Sequence, residues 1–87
     1  SADMIIPLDQ IRFVKRETRR YVYVCLGKQG DFLEVFTIFD KAQTYWKLRL
    51  KENDVRGTIK SRRRDGVTFW LIKTTQVVGE IVKTELK

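Results

Sequence analysis

The chain has 87 residues, with 18 Lys and Arg against 11 Asp and Glu, a formal net charge of +7 and no His. This length holds one domain with one modest core and excludes an enzyme built from separate cofactor and substrate domains. A hydrophobic fraction of 43% excludes wholesale disorder. The expected organisation is a single small basic β domain over residues 4–87, with Ser1–Asp3 a cloning remnant ahead of Met4.

Residues 10–16 read as a first strand, with Ile11 and Phe13 on one face and Arg12, Val14 and Arg16 on the other. Residues 20–26 follow as a second, because alternating Tyr, Val and Cys suit a pleated surface. Placing Val22, Val24 and Leu26 inside puts Arg19, Tyr21 and Tyr23 outside. Gly27-Lys28-Gln29-Gly30 is a turn, and residues 32–39 are a strand pairing back as a hairpin. That strand is apolar on both sides, with Leu33, Val35 and Phe39 opposite Phe32, Phe36 and Ile38. A doubly apolar strand is expected to be covered on both faces or to enter a protein interface.

Residues 45–51 alternate cleanly. Read as a strand, they put Trp46, Leu48 and Leu50 in the core and Tyr45, Lys47, Arg49 and Lys51 outside. Residues 58–63 and 67–74 form a second hairpin around Asp65-Gly66, a strong local turn signal. Its last strand carries Val67, Phe69 and Leu71 on one face and Thr68, Trp70 and Ile72 on the other. The tail, residues 76–86, fits both periods; the Glu80–Lys83 pair points to a short terminal helix and the β-branched load to a strand, and the helix is the expectation. The whole reads as all-β: a small antiparallel barrel or strongly curved sheet of five to six strands, with a short C-terminal helix.

Catalysis finds little footing. The absence of His removes the commonest general base and metal ligand. The single Cys25 can form neither an intramolecular disulfide nor a thiolate zinc site, and on an alternating strand it reads as a small half-buried apolar residue. The carboxylates fall mostly at strand ends and turns. No glycine-rich loop opens a helix, so no phosphate cradle is expected. The expectation is a protein that is not an enzyme, takes no cofactor or metal and has no membrane span. Its single Cys suits a reducing intracellular compartment, whether cytoplasm, nucleoid or nucleus.

The charge is clustered. Residues 12–20 carry a local +4, residues 47–64 a local +6 and residues 31–40 a local −3. Clustered cations attract polyanions, and Arg62-Arg63-Arg64 at a hairpin tip present planar forks suited to phosphate. The same run also serves a solvated, soluble tip. Tyr45 shares the outer face of its strand with Lys47 and Arg49, the mixture of rings and cations that binds bases and phosphates. For Trp70, burial in the core or an interface is expected ahead of stacking. The candidate nucleic-acid residues are Tyr45, Lys47, Arg49, Lys60, Arg62, Arg63, Arg64, Arg19, Arg20, Tyr21 and Trp70.

The run Arg20-Tyr21-Val22-Tyr23-Val24, then a Gly turn and Asp31-Phe32-Leu33-Glu34-Val35, resembles the basic-aromatic hairpins of PUR-type and Whirly-type single-strand binders. The resemblance covers about 16 residues, leaves the Asp65-Gly66 hairpin without a counterpart and implies at most a curved sheet.

The leading expectation is therefore a non-enzymatic module binding DNA or RNA with low sequence specificity, strandedness open. No recognition helix or base-reading motif is evident. The alternative is an accessory subunit of a replication, transcription or other assembly, meeting a protein partner or a second copy through Phe32, Phe36 and Ile38.

Overall fold

The structure is a computed structural model describing residues 20–86. Five strands and one helix follow in the order β1 (Arg20–Gly27), β2 (Phe32–Phe36), α1 (Phe39–Glu52), β3 (Thr58–Arg64), β4 (Val67–Lys73) and β5 (Val77–Leu86). The strands form one antiparallel sheet in the order β2-β1-β5-β4-β3. The sheet is not closed: among the described residues β2 and β3 are its two edges, so the barrel expectation gives way to an open sheet with a helix on one face. The expected strand over residues 10–16 and Arg19 lie outside the described residues.

Both hairpins form where the turn chemistry points. Asp65 and Gly66 have φ of 53° and 78°, the paired positive values of a two-residue turn whose twist matches its strands. The first turn closes with the Gly27 N–H donating to the Asp31 carbonyl at 2.8 Å and Gly30 at φ 80°.

Residues 39–52 are helical, which corrects the strand over residues 45–51. Thr44 is the one β-branched residue in this stretch, and Phe39, Ala42, Trp46 and Leu50 recur at helical spacing. Ala42 and Trp46 are buried, Leu50 is half-buried and Leu48 is 53% exposed, so Leu48 belongs to the solvent side and not to the core. Asp40 in the first turn and Arg49 and Lys51 in the last complement the helix dipole. The helix stops at Asn53, whose Nδ2 donates to the Arg49 carbonyl at 2.7 Å, and at Asp54 with φ 56°.

The tail is a second correction. Residues 77–86 form β5, the middle strand of the sheet, hydrogen-bonded to β1 and β4. Period two wins because Ile81 fills the core and pairs with Cys25 on one side and Trp70 on the other.

The core consists of Cys25, Ala42, Trp46, Ile72 and Ile81. It lies between α1 and the sheet face that carries Tyr21, Tyr23 and Cys25 of β1, Ile81 and Lys83 of β5, and Trp70 and Ile72 of β4. This inverts the expected facing of β1, while in β4 both Phe69 and Ile72, on opposite faces, are buried. Val22, Val24, Leu26, Phe69 and Leu71 occupy the opposite face, with Phe69 buried and the others half-buried.

A bulge breaks the alternation of the doubly apolar β2. Cys25 pairs with Glu34 but Leu26 pairs with Phe32, so Leu33 is an extra residue and the alternation slips. Leu33 and Phe36 pack against the core, while Phe32 is 62% exposed. Ile38 is no longer in the strand; it is the residue before α1. Phe32 and Phe36 therefore lie on opposite faces of the sheet, and Ile38 is exposed ahead of the helix.

Candidate nucleic-acid interface

α1 begins at Phe39 and crosses the sheet toward Gly79, leaving one end of the helix-side face open as a cleft of about 670 Å³. Its floor and walls are Tyr21 and Tyr23 of β1, Trp70 of β4 and Phe39 at the helix start. Lys83 and Glu85 of β5 and the hairpin residues Gly66, Val67 and Thr68 complete it. The cleft exists because two hairpins and a helix end converge. Tyr21 and Tyr23 share a face by strand alternation, β5 places Lys83 directly opposite Tyr23, and the chain leaving β2 turns into α1 above them.

The aromatic rings touch one another. The centroids of Phe39 and Trp70 are 4.5 Å apart with planes at 38°, and those of Tyr23 and Phe39 are 5.7 Å apart at 63°. Tyr23 and Trp70 are separated by 6.0 Å. These are favourable offset and edge geometries, so the rings hold one another in place while remaining partly open to solvent. The Lys83 Nζ lies 4.3 Å from the Tyr21 ring centroid, a cation–π contact. Arg63 pairs with Thr68 across the hairpin and its guanidinium donates to the Gly66 carbonyl at 3.2 Å, which brings a second cation to the rim.

The expected site residues separate into three groups. Tyr21 and Trp70 line this cleft, and Arg63 shares its face of the sheet as the cross-strand partner of Thr68. Lys60, Arg62 and Arg64 lie on the other face of the sheet, because alternation along β3 sends them opposite to Arg63. Arg64 sits over Phe69 at 5.0 Å, and Arg62 donates to the Ser61 carbonyl at 3.0 Å. Arg20 is exposed at the start of β1, on the face opposite Tyr21.

The third group is on α1 and away from the cleft. Tyr45 is half-buried, packed against Phe36 at 5.7 Å and Trp46 at 6.0 Å, which corrects its expected exposure. Arg49 donates from its Nη1 to the Tyr45 hydroxyl at 3.2 Å and lies 5.9 Å from the Trp46 ring, so it is held locally. Lys47 is exposed on the helix surface.

Tyr23, Phe39 and Lys83 line the cleft and were absent from the expected site. The spacing of Tyr21 and Tyr23 already put both on one face. Lys83 was hidden by the helical reading of the tail, and Phe39 by the assignment of residues 32–39 to one strand.

Cys25 is fully buried, and burial followed by the nearby Glu34 carboxylate pushes its thiol up to about 11, with the Trp46 indole N–H opposing the shift. Such a thiol stays protonated and is a poor nucleophile at neutral pH. The Cys25 thiol points to the Ala42 carbonyl oxygen at 4.0 Å, and the buried Trp46 Nε1 has no hydrogen-bond partner among the described residues. Among the described residues, no group of three or more His, Cys, Asp or Glu could hold a metal ion, and no helix is long and apolar enough to cross a membrane.

Compared with protein-family models, curated proteins and solved structures, the chain matches none.

Proposed function

We propose that this protein is a non-enzymatic nucleic-acid-binding module of low sequence specificity. The observation that carries the reading is the cleft: partly open rings of Tyr21, Tyr23 and Trp70 beside Lys83 and Arg63, in a chain of net charge +7. Rings accept bases or sugars through their faces, and the cations neutralise phosphates and release counterions. Arg62 and Arg64, projecting from the same hairpin, extend the positive field without facing the cleft. Specificity is low because rings and cations discriminate weakly among bases, whereas base-edge readout needs aligned donors and acceptors.

Filter binding with single-stranded DNA, duplex DNA and RNA across a salt series tests this. Neutralisation of four to six phosphates gives a log–log slope of roughly −3 to −5. Absence of binding at low salt, or micromolar binding that is flat in salt, contradicts the reading.

The alternative, an accessory subunit of a larger assembly, is favoured by one observation: Phe32 and Val35 on the edge strand are 62% and 42% exposed. Exposed apolar side chains on a strand that is an edge among the described residues are suited to a protein partner. Gel filtration with and without nucleic acid separates the two readings.

A further inference from the structure

We propose that the cleft admits unpaired bases, making the module selective for single strands, and that Lys83 holds the place of a base on Tyr21 until a strand arrives. This rests on the nucleic-acid reading above and adds the strandedness that reading leaves open.

The first argument is shape. Duplex bases are read by convex elements that enter a groove, such as a helix or a two-stranded ribbon. Here the rings of Tyr21, Tyr23 and Trp70 lie in a recess that Phe39, packed on Trp70 and Tyr23, and the hairpin residues Gly66 and Thr68 complete. A duplex presents only its backbone to such a recess, and its stacked bases cannot reach Trp70. An unpaired base can turn into it, and a volume of about 670 Å³ falls within the range of sites that enclose small molecules.

The second argument is the position of Lys83. Its ammonium lies over the Tyr21 ring at 4.3 Å, on a face that a stacking base requires. A base that takes the ring displaces the ammonium, and the same strand offers it a phosphate. The exchange replaces a cation–π contact with a base–aromatic stack and a charge-assisted contact. Glu85, directly opposite Tyr21, repels phosphate beside that ring, while Lys83, opposite Tyr23, and Arg63, opposite Thr68, attract it.

The rival is duplex binding by the β3–β4 hairpin, a two-stranded ribbon tipped by Arg62, Arg63 and Arg64. Equilibrium titration of the full chain with an oligothymidylate, an oligoadenylate and a duplex of equal length decides between them. The variants are Tyr21→Ala, Trp70→Phe and Lys83→Gln, each checked for native circular dichroism. Tyr21 is 37% exposed, so its truncation leaves the core intact even if a Trp70 variant loses stability.

The expected results are tighter binding of the single strands than of the duplex, weakening by about tenfold in Tyr21→Ala and a salt slope shallower by about one unit in Lys83→Gln. Quenching of tryptophan fluorescence on single-strand binding should be lost in Trp70→Phe, since Trp46 is buried. Duplex binding equal to or tighter than single-strand binding, with Tyr21→Ala binding as the parent does, overturns the inference while leaving the nucleic-acid reading intact. No binding to any of the three overturns both.

Discussion

The indole of Trp46 occupies the space that a Cβ on Gly79 would need. A side chain built at Gly79 collides with the six-membered ring of Trp46 and lies 2.7 Å from the Leu26 carbonyl oxygen. The absence of a side chain in the middle strand is what lets α1 settle onto the sheet. Gly79→Ala is therefore expected to destabilise the protein by about 1–3 kcal/mol through overpacking, even though alanine is ordinarily the milder residue in a strand. Urea unfolding followed by circular dichroism measures it; a stability equal to the parent's would show that the helix has room to shift.

The helical placement of residues 39–52 changes which leucine matters. Leu48 projects into solvent, so Leu48→Ala should alter stability by no more than about 0.5 kcal/mol. Ile81, fully buried at the centre of the sheet, should cost about 2–5 kcal/mol when cut to alanine. The strand reading expected a large loss at Leu48, so comparison of the two variants in chemical unfolding discriminates between the two arrangements.

Burial raises the Cys25 thiol to about 11 from an unfolded value of 9.0. The unfolded chain thus ionises first as pH rises. This contribution to stability is fully present below about pH 9 and is lost as pH climbs through about 11. Stability measured against pH should fall across that window, and the fall should be smaller in Cys25→Ala, whatever that variant's overall loss. Identical pH dependence in the two proteins would mean that the thiol is hydrated.

The three hairpin arginines are expected to act unequally. Gln at Arg62 and Arg64 should leave the melting temperature nearly unchanged, because both side chains are exposed and touch their neighbours on the hairpin, Arg62 the Ser61 carbonyl and Arg64 the Phe69 ring. Arg63 is held against Gly66 at the rim, on the cleft's side of the sheet, so Arg63→Gln alone should weaken binding and flatten the salt slope by about one unit. Titrations of the three single variants across salt would measure this. A larger loss at Arg62 or Arg64 than at Arg63 would move the contact to the other face of the sheet.

Local turn chemistry made the two hairpins legible: Asp65-Gly66 and the Gly27–Gly30 turn are decided by a few residues whose backbone preferences are strong. Facing was not legible. In β1, Tyr21, Tyr23 and Cys25 are as plausible against a core as Val22, Val24 and Leu26, so alternation identifies a strand without saying which side a helix covers. In residues 45–51 a period-two pattern coincided with good helix formers, and the deciding stripe of Phe39, Ala42, Trp46 and Leu50 began six residues earlier. Arg63 and Trp70 could be singled out from composition and position, but their meeting with Lys83 depends on β5 lying between β1 and β4, a long-range pairing that no local pattern encodes.

The most direct test of the account is to map the contact surface by NMR, titrating a short single-stranded oligonucleotide into isotopically labelled protein at low salt. The account expects the largest chemical-shift changes at Tyr21, Tyr23, Thr68, Trp70 and Lys83, a smaller set at Arg63, and none on the outer helix at Lys47 and Leu48. Changes concentrated on α1, or an unchanged spectrum at saturating oligonucleotide, would contradict the cleft as the site.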